Sequence, residues 1–268
     1  MAEELILYTK EDGIGIITLN RPERMNAVTD DMLITIGQMV AEIITDDEVR
    51  AMIITGNGRA FCGGTDVSNL GRNEIEAAAA RARRMRAVQL PESPLPPWTF
   101  TRIPKPTIAA VNGAAVGMGA EWTAQCDIRI ASENARFGWV FSLRGLPPDT
   151  GAGPYLLPYI VGLSKALDMM YSGEIIDARE AERIGLVSKV VPPEELMPAA
   201  KEMAHKLTRG APLAIKAIKE LTYGSMEWPP SVHRGETGER FRGLSLTEDC
   251  REGVRSFIEK RPPVWKGK

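Results

Sequence analysis

The stretch that decides the fold is KPTIAAVNGAAVGMGAEWTAQCDIRIAS, which runs from residue 105 to residue 132. Its β-branched, apolar run at 107–111 predicts a buried strand. A glycine-rich turn follows, with Gly113, Gly117 and Gly119. After the turn comes a lone carboxylate, Glu121, where the pattern changes to that of a buried helix. Because the first N–H groups of a helix are free and point the same way, this order predicts an oxyanion site beside a proton-moving carboxylate.

The chain before this stretch predicts alternating strands and helices. Residues 5–20 read as two short strands around an Asp12-Gly13 turn. A helix is expected from Asp30, as its cap, to about Ile44. The nearly continuous apolar run at 49–56 is typical of a strand buried on both faces, and it ends in a second glycine-rich loop, GNGRAFCGGTDVSNL.

The chain after this stretch is mostly helical. The stretch itself ends in a further expected strand, at 126–132, and turns are expected at 135–149. Helical segments are predicted after it at 164–171, 178–184, 194–209, 211–223 and about 246–260, and one is predicted before it at 74–90. This order predicts an α/β core with a helical C-terminal appendage.

Composition excludes several classes of protein. The 268 residues are 44% hydrophobic and 25% charged, which suits a large core, and the net charge of −2 offers no general attraction to nucleic acid or anionic membranes. No apolar run is long enough to span a bilayer, and the acidic start does not resemble a signal peptide. Three widely spaced cysteines favour a reduced, cytoplasmic setting.

The chemistry is expected to run on carboxylates. Only His205 and His233 occur, both in polar C-terminal sequence, which disfavours a histidine-bearing metal site or a Ser-His-Asp triad. Neither a G-x-G-x-x-G fingerprint nor a phosphate-binding P-loop is present, which disfavours NAD and ATP enzymes. We therefore predict no metal and no separate cofactor.

Several motifs, in order along nearly the whole chain, resemble the enoyl-CoA hydratase/isomerase (crotonase) superfamily. They are NRPERMNA, GRAFCGGTDV, KPTIAAVNGAAVGMGAE, CDIRIAS, PPDTGAGPYLLPYIVG and SFIEKRPP. The resemblance implies an α/β fold, a right-handed spiral of ββα units, with a C-terminal helical region that packs a homotrimer or a dimer of trimers. It implies an acyl-CoA-binding core at 1–200, an oligomerisation region at 201–268, and an acyl-CoA substrate whose CoA is the only cofactor-like group.

The resemblance also implies an oxyanion hole made of two backbone N–H groups. The first falls on Thr65, after Gly63-Gly64, and the second on Met118, between Gly117 and Gly119. Members of the superfamily usually have glycine at the second position. A methionine is acceptable there because the donor belongs to the backbone.

Further residues correspond by motif to substrate contacts. Arg24 corresponds to a basic residue near the CoA phosphates, and Gly64 and Gly117 precede the two donors. Positions that flank the backbone around adenine are Ala60, Asp66 and Val67. Phe257 and Lys260 correspond to positions that reach CoA, often on a neighbouring subunit. The proline-rich residues 91–97 and the arginine-rich residues 81–86 fall beside the acyl pocket, where the superfamily varies most.

The acid–base pair departs from the pattern of the hydratases. Their first glutamate corresponds to Glu121, but the second corresponds to Phe141, so one acid is missing. Asp149 occupies a third position, where isomerase branches carry a proton-moving aspartate and a dehalogenase branch carries a nucleophile. Addition of water needs both activation of the nucleophile and delivery of a proton, so the missing acid weighs against ordinary hydration.

Each of these residues also has a purely structural interpretation. Glu121 can cap a helix start or form a salt bridge, and Asp149 can be the N-cap of a helix beginning near Gly153. Trp139 and Phe141 are simplest as walls of the acyl pocket. Cys62 is simplest as a small buried residue rather than a nucleophile, because no histidine is near it in sequence.

The sequence thus predicts an acyl-CoA enzyme in which Glu121 and Asp149 move protons for double-bond isomerisation or hydration. One alternative is hydrolysis or dehalogenation with Asp149 as nucleophile. Alternatives of another class are a CoA-binding scaffold without turnover, suggested by Phe141, and an RNA-binding member, suggested by residues 81–86. Four arginines on a nearly neutral chain are a weak footprint for nucleic acid, so no nucleic-acid partner is expected.

Overall fold

A computed structural model describes residues 4–66 and 91–268 of the chain. Ten strands lie in this part: β1 Ile6–Glu11, β2 Ile14–Leu19, β3 Ala51–Gly56, β4 Ala60–Cys62, β5 Thr107–Val111, β6 Ala114–Val116, β7 Ile128–Ser132, β8 Arg136–Gly138, β9 Ile176–Asp177 and β10 Lys189–Val191. Nine α-helices are described: α1 Asp30–Thr45, α2 Met118–Gln125, α3 Ala152–Val161, α4 Leu163–Ser172, α5 Ala178–Arg183, α6 Leu196–Leu207, α7 Pro212–Gly224, α8 Pro230–Ser245 and α9 Glu248–Glu259.

The strands form two sheets, between which the chain alternates. A six-stranded sheet has the order β1-β2-β3-β5-β7-β10, and a four-stranded sheet has the order β4-β6-β8-β9. From β3 to β8, each long strand of the first sheet is followed by a short strand of the second. Neighbours in this part of both sheets are parallel. The predicted α/β architecture of ββα units followed by helices is confirmed.

The hairpin at the start of the chain and the strand of the opening stretch match their predictions. Glu11 pairs with Ile14 across a two-residue turn, in which Asp12 has φ 48° and Gly13 has φ 76°. Positive φ at both positions is the geometry that suits the twist of a tight hairpin. The predicted strand at 107–111 coincides with β5, every residue of which is buried.

Two helix predictions need correction. The N-cap of α1 is Thr29 rather than Asp30, because the Thr29 hydroxyl accepts the Met32 N–H at 3.3 Å. The sequence pattern does not predict helix α8. It has no buried residue, so it lacks the apolar stripe on which a sequence-based helix prediction depends.

The C-terminal helices differ in how they pack: α6 lies against the six-stranded sheet, whereas α8 and α9 are largely exposed. The proposed boundary at residue 200 falls inside α6, which buries Ala199, Ala200 and Ala204 against the six-stranded sheet. Beyond it, α8, α9 and the connection between them expose large apolar side chains, namely Phe241, Leu246, Val254, Phe257 and Ile258. Within the described ranges, no helix combines the length and the apolar character needed to cross a membrane.

Candidate active site

The two glycine-rich loops meet where β4 and β6 end. Gly117 has φ 57° and Gly64 has φ 113°, conformations that favour glycine. A Cβ added to Gly117 would lie 3.6 Å from the Gly64 Cα, so the loops are in contact. A Cβ on Gly119 would lie only 2.3 Å from the Cys62 carbonyl oxygen. Glycine at 119 therefore allows α2 to begin directly against β4.

Both predicted oxyanion donors lie at this junction. Met118 is the first residue of α2, so its N–H has no partner within the helix. Because position 118 already has helical conformation, an ordinary L-residue fits there. Thr65 forms a parallel bridge with Val28 in which the hydrogen bonds are made by Gly64 and Asp66. The N–H of Thr65 therefore points away from Val28.

Glu121 is a fully buried carboxylate held by three donors. It lies one turn after Met118 on α2. The Trp139 Nε1–H donates to Oε1 at 2.8 Å, and the Gly153 N–H lies 3.0 and 3.1 Å from the two carboxylate oxygens. The Thr150 hydroxyl donates to Oε2. Glu121 is thus not half of a surface ion pair, and its carboxylate binds a free N–H in the first turn of α3.

Burial is the main influence on the charge of Glu121. Loss of water raises the pKa of Glu121 above its ordinary value, and the negative charge of Asp149 adds to the rise. The hydrogen bonds from Thr150, Gly153 and Trp139 stabilise the ionised form and oppose this change. The net direction is upward.

Asp149 is exposed at the edge of the oxyanion junction. Its Oδ2 accepts a hydrogen bond from the Thr65 hydroxyl at 3.1 Å, across 84 residues of sequence. It is not the N-cap of α3, because Gly151 occupies that position with φ 74°. The Ala152 N–H in the first turn donates instead to the Thr150 hydroxyl, at 3.1 Å. The carboxylate of Asp149 therefore faces the first glycine loop.

The two aromatic residues near the site differ in position. Trp139 is fully buried and supports Glu121 from inside the core. Phe141 is half-buried, and its Cζ lies 3.9 Å from the position of a Cβ on Gly117. An apolar ring thus lies over the second glycine loop, where the hydratase pattern predicts the second glutamate.

The sequence does not predict the supporting roles of Trp98 and Arg21. The Trp98 Nε1–H donates to the Thr150 carbonyl at 2.9 Å, and the Trp98 ring lies 5.1 Å from that of Tyr155. Arg21 donates to the Ala27 carbonyl and to the Asp66 carboxylate, which joins the NRPER turn to the first glycine loop. Contacts between residues so far apart in the chain produce no recognisable pattern in the local sequence. The available signals are that Arg21 belongs to the NRPERMNA motif and that Trp98 directly follows the proline-rich residues 91–97.

The predicted CoA contacts lie in two separate places. Arg24 is exposed at the end of a short 3₁₀ turn, and Ala60 is buried in β4 near the first glycine loop. Phe257 and Lys260 are exposed at the far end of α9, among the C-terminal helices. Val67, the predicted helix at 74–90 and the arginines at 81–86 lie outside the described residues.

The described residues can also be searched for a reactive cysteine and for a cluster of metal-binding side chains. Burial raises the pKa of the Cys62 thiol to about 12, so it stays protonated as a small buried residue. Among residues 4–66 and 91–268, no group of three or more His, Cys, Asp or Glu side chains is placed to hold a metal ion.

The family model, the curated relatives and the solved structures that resemble this chain all indicate the same family. The family model described as enoyl-CoA hydratase/isomerase matches residues 9–268. A short-chain-enoyl-CoA hydratase of Clostridium acetobutylicum is 38% identical over 261 residues, 96% of this chain and 95% of the relative. A 1,2-epoxyphenylacetyl-CoA isomerase of Escherichia coli is 35% identical over 269 residues, 99% of each chain. The crystal structure of an enoyl-CoA hydratase from Bacillus anthracis has a TM-score of 0.89 at 30% identity, and covers 99% of this chain and 100% of that one.

Proposed function

Since the chain belongs to the enoyl-CoA hydratase/isomerase family, whose members act on acyl-CoA thioesters, we propose that it shifts the double bond of an unsaturated acyl-CoA. The observation that carries the proposal is the contact between Asp149 and Thr65. It brings an exposed carboxylate to the residue whose N–H is the first predicted oxyanion donor. One proton carrier beside an oxyanion hole is what a double-bond shift requires.

The oxyanion hole is formed by the N–H groups of Thr65 and Met118, which bind the thioester oxygen. Neither depends on its own side chain for this role. Charge that develops on the oxygen when a proton leaves C2 is stabilised by these donors, each of which is worth about 10²–10³ in rate. The proton at C2 thereby becomes acidic enough for a carboxylate to remove.

The reaction needs only Asp149 as a proton carrier. The carboxylate takes the proton from C2 of a 3-enoyl-CoA, and the C–H electron pair moves to give a dienolate held by Thr65 and Met118. The carboxyl then returns the same proton to C4, and the double bond comes to lie between C2 and C3. No water is added, and carbon is neither oxidised nor reduced overall.

Phe141 supports isomerisation over hydration. Addition of water needs one group to activate the water and another to deliver a proton to carbon. An apolar ring occupies the position of the second acid, near Gly117. The Escherichia coli relative is named as an isomerase of an epoxide and the Clostridium relative as a hydratase, so hydration is the reaction to measure in parallel.

Turnover of 3-enoyl-CoA and of crotonyl-CoA, followed by the absorbance of the conjugated thioester, tests this proposal. We expect isomerisation by the wild-type enzyme to exceed hydration, and Asp149→Asn to lower kcat for isomerisation by about 10²–10⁴. Glu48→Gln is the matched control, because that carboxylate is 86% exposed before β3, at the opposite end of the strand from the site. Full activity of Asp149→Asn, or a covalent adduct on Asp149, would overturn the proposal; the adduct would indicate nucleophilic catalysis instead.

The assembly is part of the same proposal. The exposed apolar side chains of α8 and α9 are suited to burial between subunits, and Phe257 is 85% exposed in the single chain. We propose a homotrimer, or a dimer of trimers, in which Phe257 and Lys260 reach the CoA bound by a neighbouring subunit.

A further inference from the structure

We propose that Glu121 is a positioning residue, whose carboxylate holds the segment from Asp149 to Gly153 so that Asp149 stays at Thr65. The inference rests on the proposed function, since it takes Asp149 as the proton carrier. It assigns Glu121 a role other than the proton transfer expected from its place in the sequence.

The geometry around Glu121 leaves its oxygens no route to a substrate. Both are engaged, Oε1 by Trp139 and Gly153 and Oε2 by Thr150 and Gly153. The side chain has no exposed surface. A Cβ on Gly153 would lie 2.1 Å from Oε1, so the backbone of α3 closes directly over the carboxylate. A general acid or base must reach the reacting atom, directly or through one water.

The same contacts connect the two halves of the site. Glu121 lies on α2, the helix whose first N–H is the donor of Met118. Its partners Thr150 and Gly153 lie one and four positions after Asp149. The Trp98 indole holds the Thr150 carbonyl from another side, at 2.9 Å. Hydrogen bonds to the Thr150 hydroxyl, the Thr150 carbonyl and the Gly153 N–H therefore hold the segment after Asp149 in place relative to α2.

Glutamine and alanine at position 121 separate positioning from proton transfer. In Glu121→Gln, the amide oxygen can accept from Trp139 and Gly153, and the NH₂ group can donate to the Thr150 oxygen once that hydroxyl turns. The hydrogen bonds that join residue 121 to Trp139, Thr150 and Gly153, here called the clamp, then persist without a titrating group. In Glu121→Ala the clamp is lost, and Thr150 and Gly153 lose their common partner.

The experiment measures kcat, KM and the pH profile of 3-enoyl-CoA isomerisation for both variants. We expect Glu121→Gln to lose less than tenfold in kcat, with the acid limb of the profile in place, and Glu121→Ala to lose about a hundredfold, at little change in KM. A loss in Glu121→Gln as large as in Glu121→Ala, or a displaced acid limb, would show that Glu121 transfers the proton. Equal activity of both variants with the wild type would also overturn the proposal.

A second pair of variants tests the other end of the clamp and covers the case in which Glu121→Ala does not fold. Thr150→Ser keeps the hydroxyl, whereas Thr150→Val has a similar shape without it. We expect the serine variant to stay within about threefold of the wild-type kcat and the valine variant to lose about tenfold or more. Equal rates for the two variants would contradict the clamp.

Failure of the proposed function has a separate signature. If Asp149→Asn keeps its activity, Asp149 is not the proton carrier, whatever the two Glu121 variants show. If Asp149→Asn is inactive but Glu121→Gln is inactive as well, the proposed function stands and the positioning role fails.

Discussion

Two glycines of the opening stretch and the residue between them differ in what they tolerate. Gly117 is required by its positive φ, and Gly119 by the 2.3 Å approach of a Cβ to the Cys62 carbonyl. Met118 between them has ordinary helical conformation. A side chain at the donor position therefore leaves the donor N–H in place.

Gly119→Ala is expected to disturb the site more than Met118→Leu, which keeps the backbone donor and a side chain of similar volume. The Cβ would push α2 away from β4, because the contact is with a backbone carbonyl that cannot turn aside. Overpacking of this kind costs about 1–3 kcal/mol in unfolding free energy. Urea denaturation and kcat for Gly119→Ala and Met118→Leu measure it, and equal losses in the two variants would contradict the explanation.

The raised pKa of Glu121 has a consequence for stability. The folded protein binds this proton more tightly than the unfolded chain, so the free energy of unfolding should fall as pH rises from the ordinary value of 4.5 through the raised pKa. Glu121→Gln should lack this component of the pH dependence. Denaturant midpoints of both proteins over that range test it, and parallel curves would show that Glu121 does not contribute.

At the level of elements, α7 is attached to the core through contacts that centre on an ion pair between buried Lys219 and partly buried Asp127. The Lys219 ammonium donates to the Asp127 carboxylate at 2.8 Å and to the Lys105 carbonyl at 3.1 Å. The Tyr223 hydroxyl donates to the other Asp127 oxygen at 3.0 Å. These contacts hold the base of the C-terminal helices beside β5 and β7.

Lys219→Met should therefore weaken the attachment of α7. It leaves a partly buried carboxylate without its cation, a change that typically costs about 3–5 kcal/mol of unfolding free energy when a pair is fully buried. Lys216→Met is the matched control on the same helix, because Lys216 is half-exposed and its pairing with Glu220 is worth under about 1 kcal/mol. Similar denaturation midpoints for the two variants would contradict the role of Lys219.

For the whole molecule, the exposed faces of α8 and α9 lead to a prediction about assembly. Phe257→Glu should lower the molar mass measured by light scattering, because it places a charge in an apolar contact. The KM for acyl-CoA should rise if Phe257 also reaches CoA on a neighbouring subunit. Lys206→Glu, an exposed change on α6, is the control. A wild-type protein that runs as a monomer would refute the proposed trimer.

The elements that sequence predicts well are those whose burial repeats with a fixed period. Strand 107–111 is apolar after Thr107 because both faces are buried, and the helices corresponding to α4, α6 and α7 carry an apolar stripe. Helix α8 escaped because a single chain buries none of its residues. Its amphipathic signal depends on whatever covers it.

By itself the sequence determined the α/β order, the two glycine-rich loops and the residue types of the site, because these depend on local periodicity, turn chemistry and motif order. Only the tertiary structure decided what each carboxylate touches. Glu121 is enclosed by Trp139, Thr150 and Gly153, and Asp149 faces Thr65 across 84 residues. Hydrogen bonds over such separations follow from how the sheets and helices pack, and no local pattern records them. Glu121, the carboxylate that stands out in the opening stretch, is for this reason the buried one. Asp149, the exposed carboxylate, comes from a loop whose sequence also suits a helix cap.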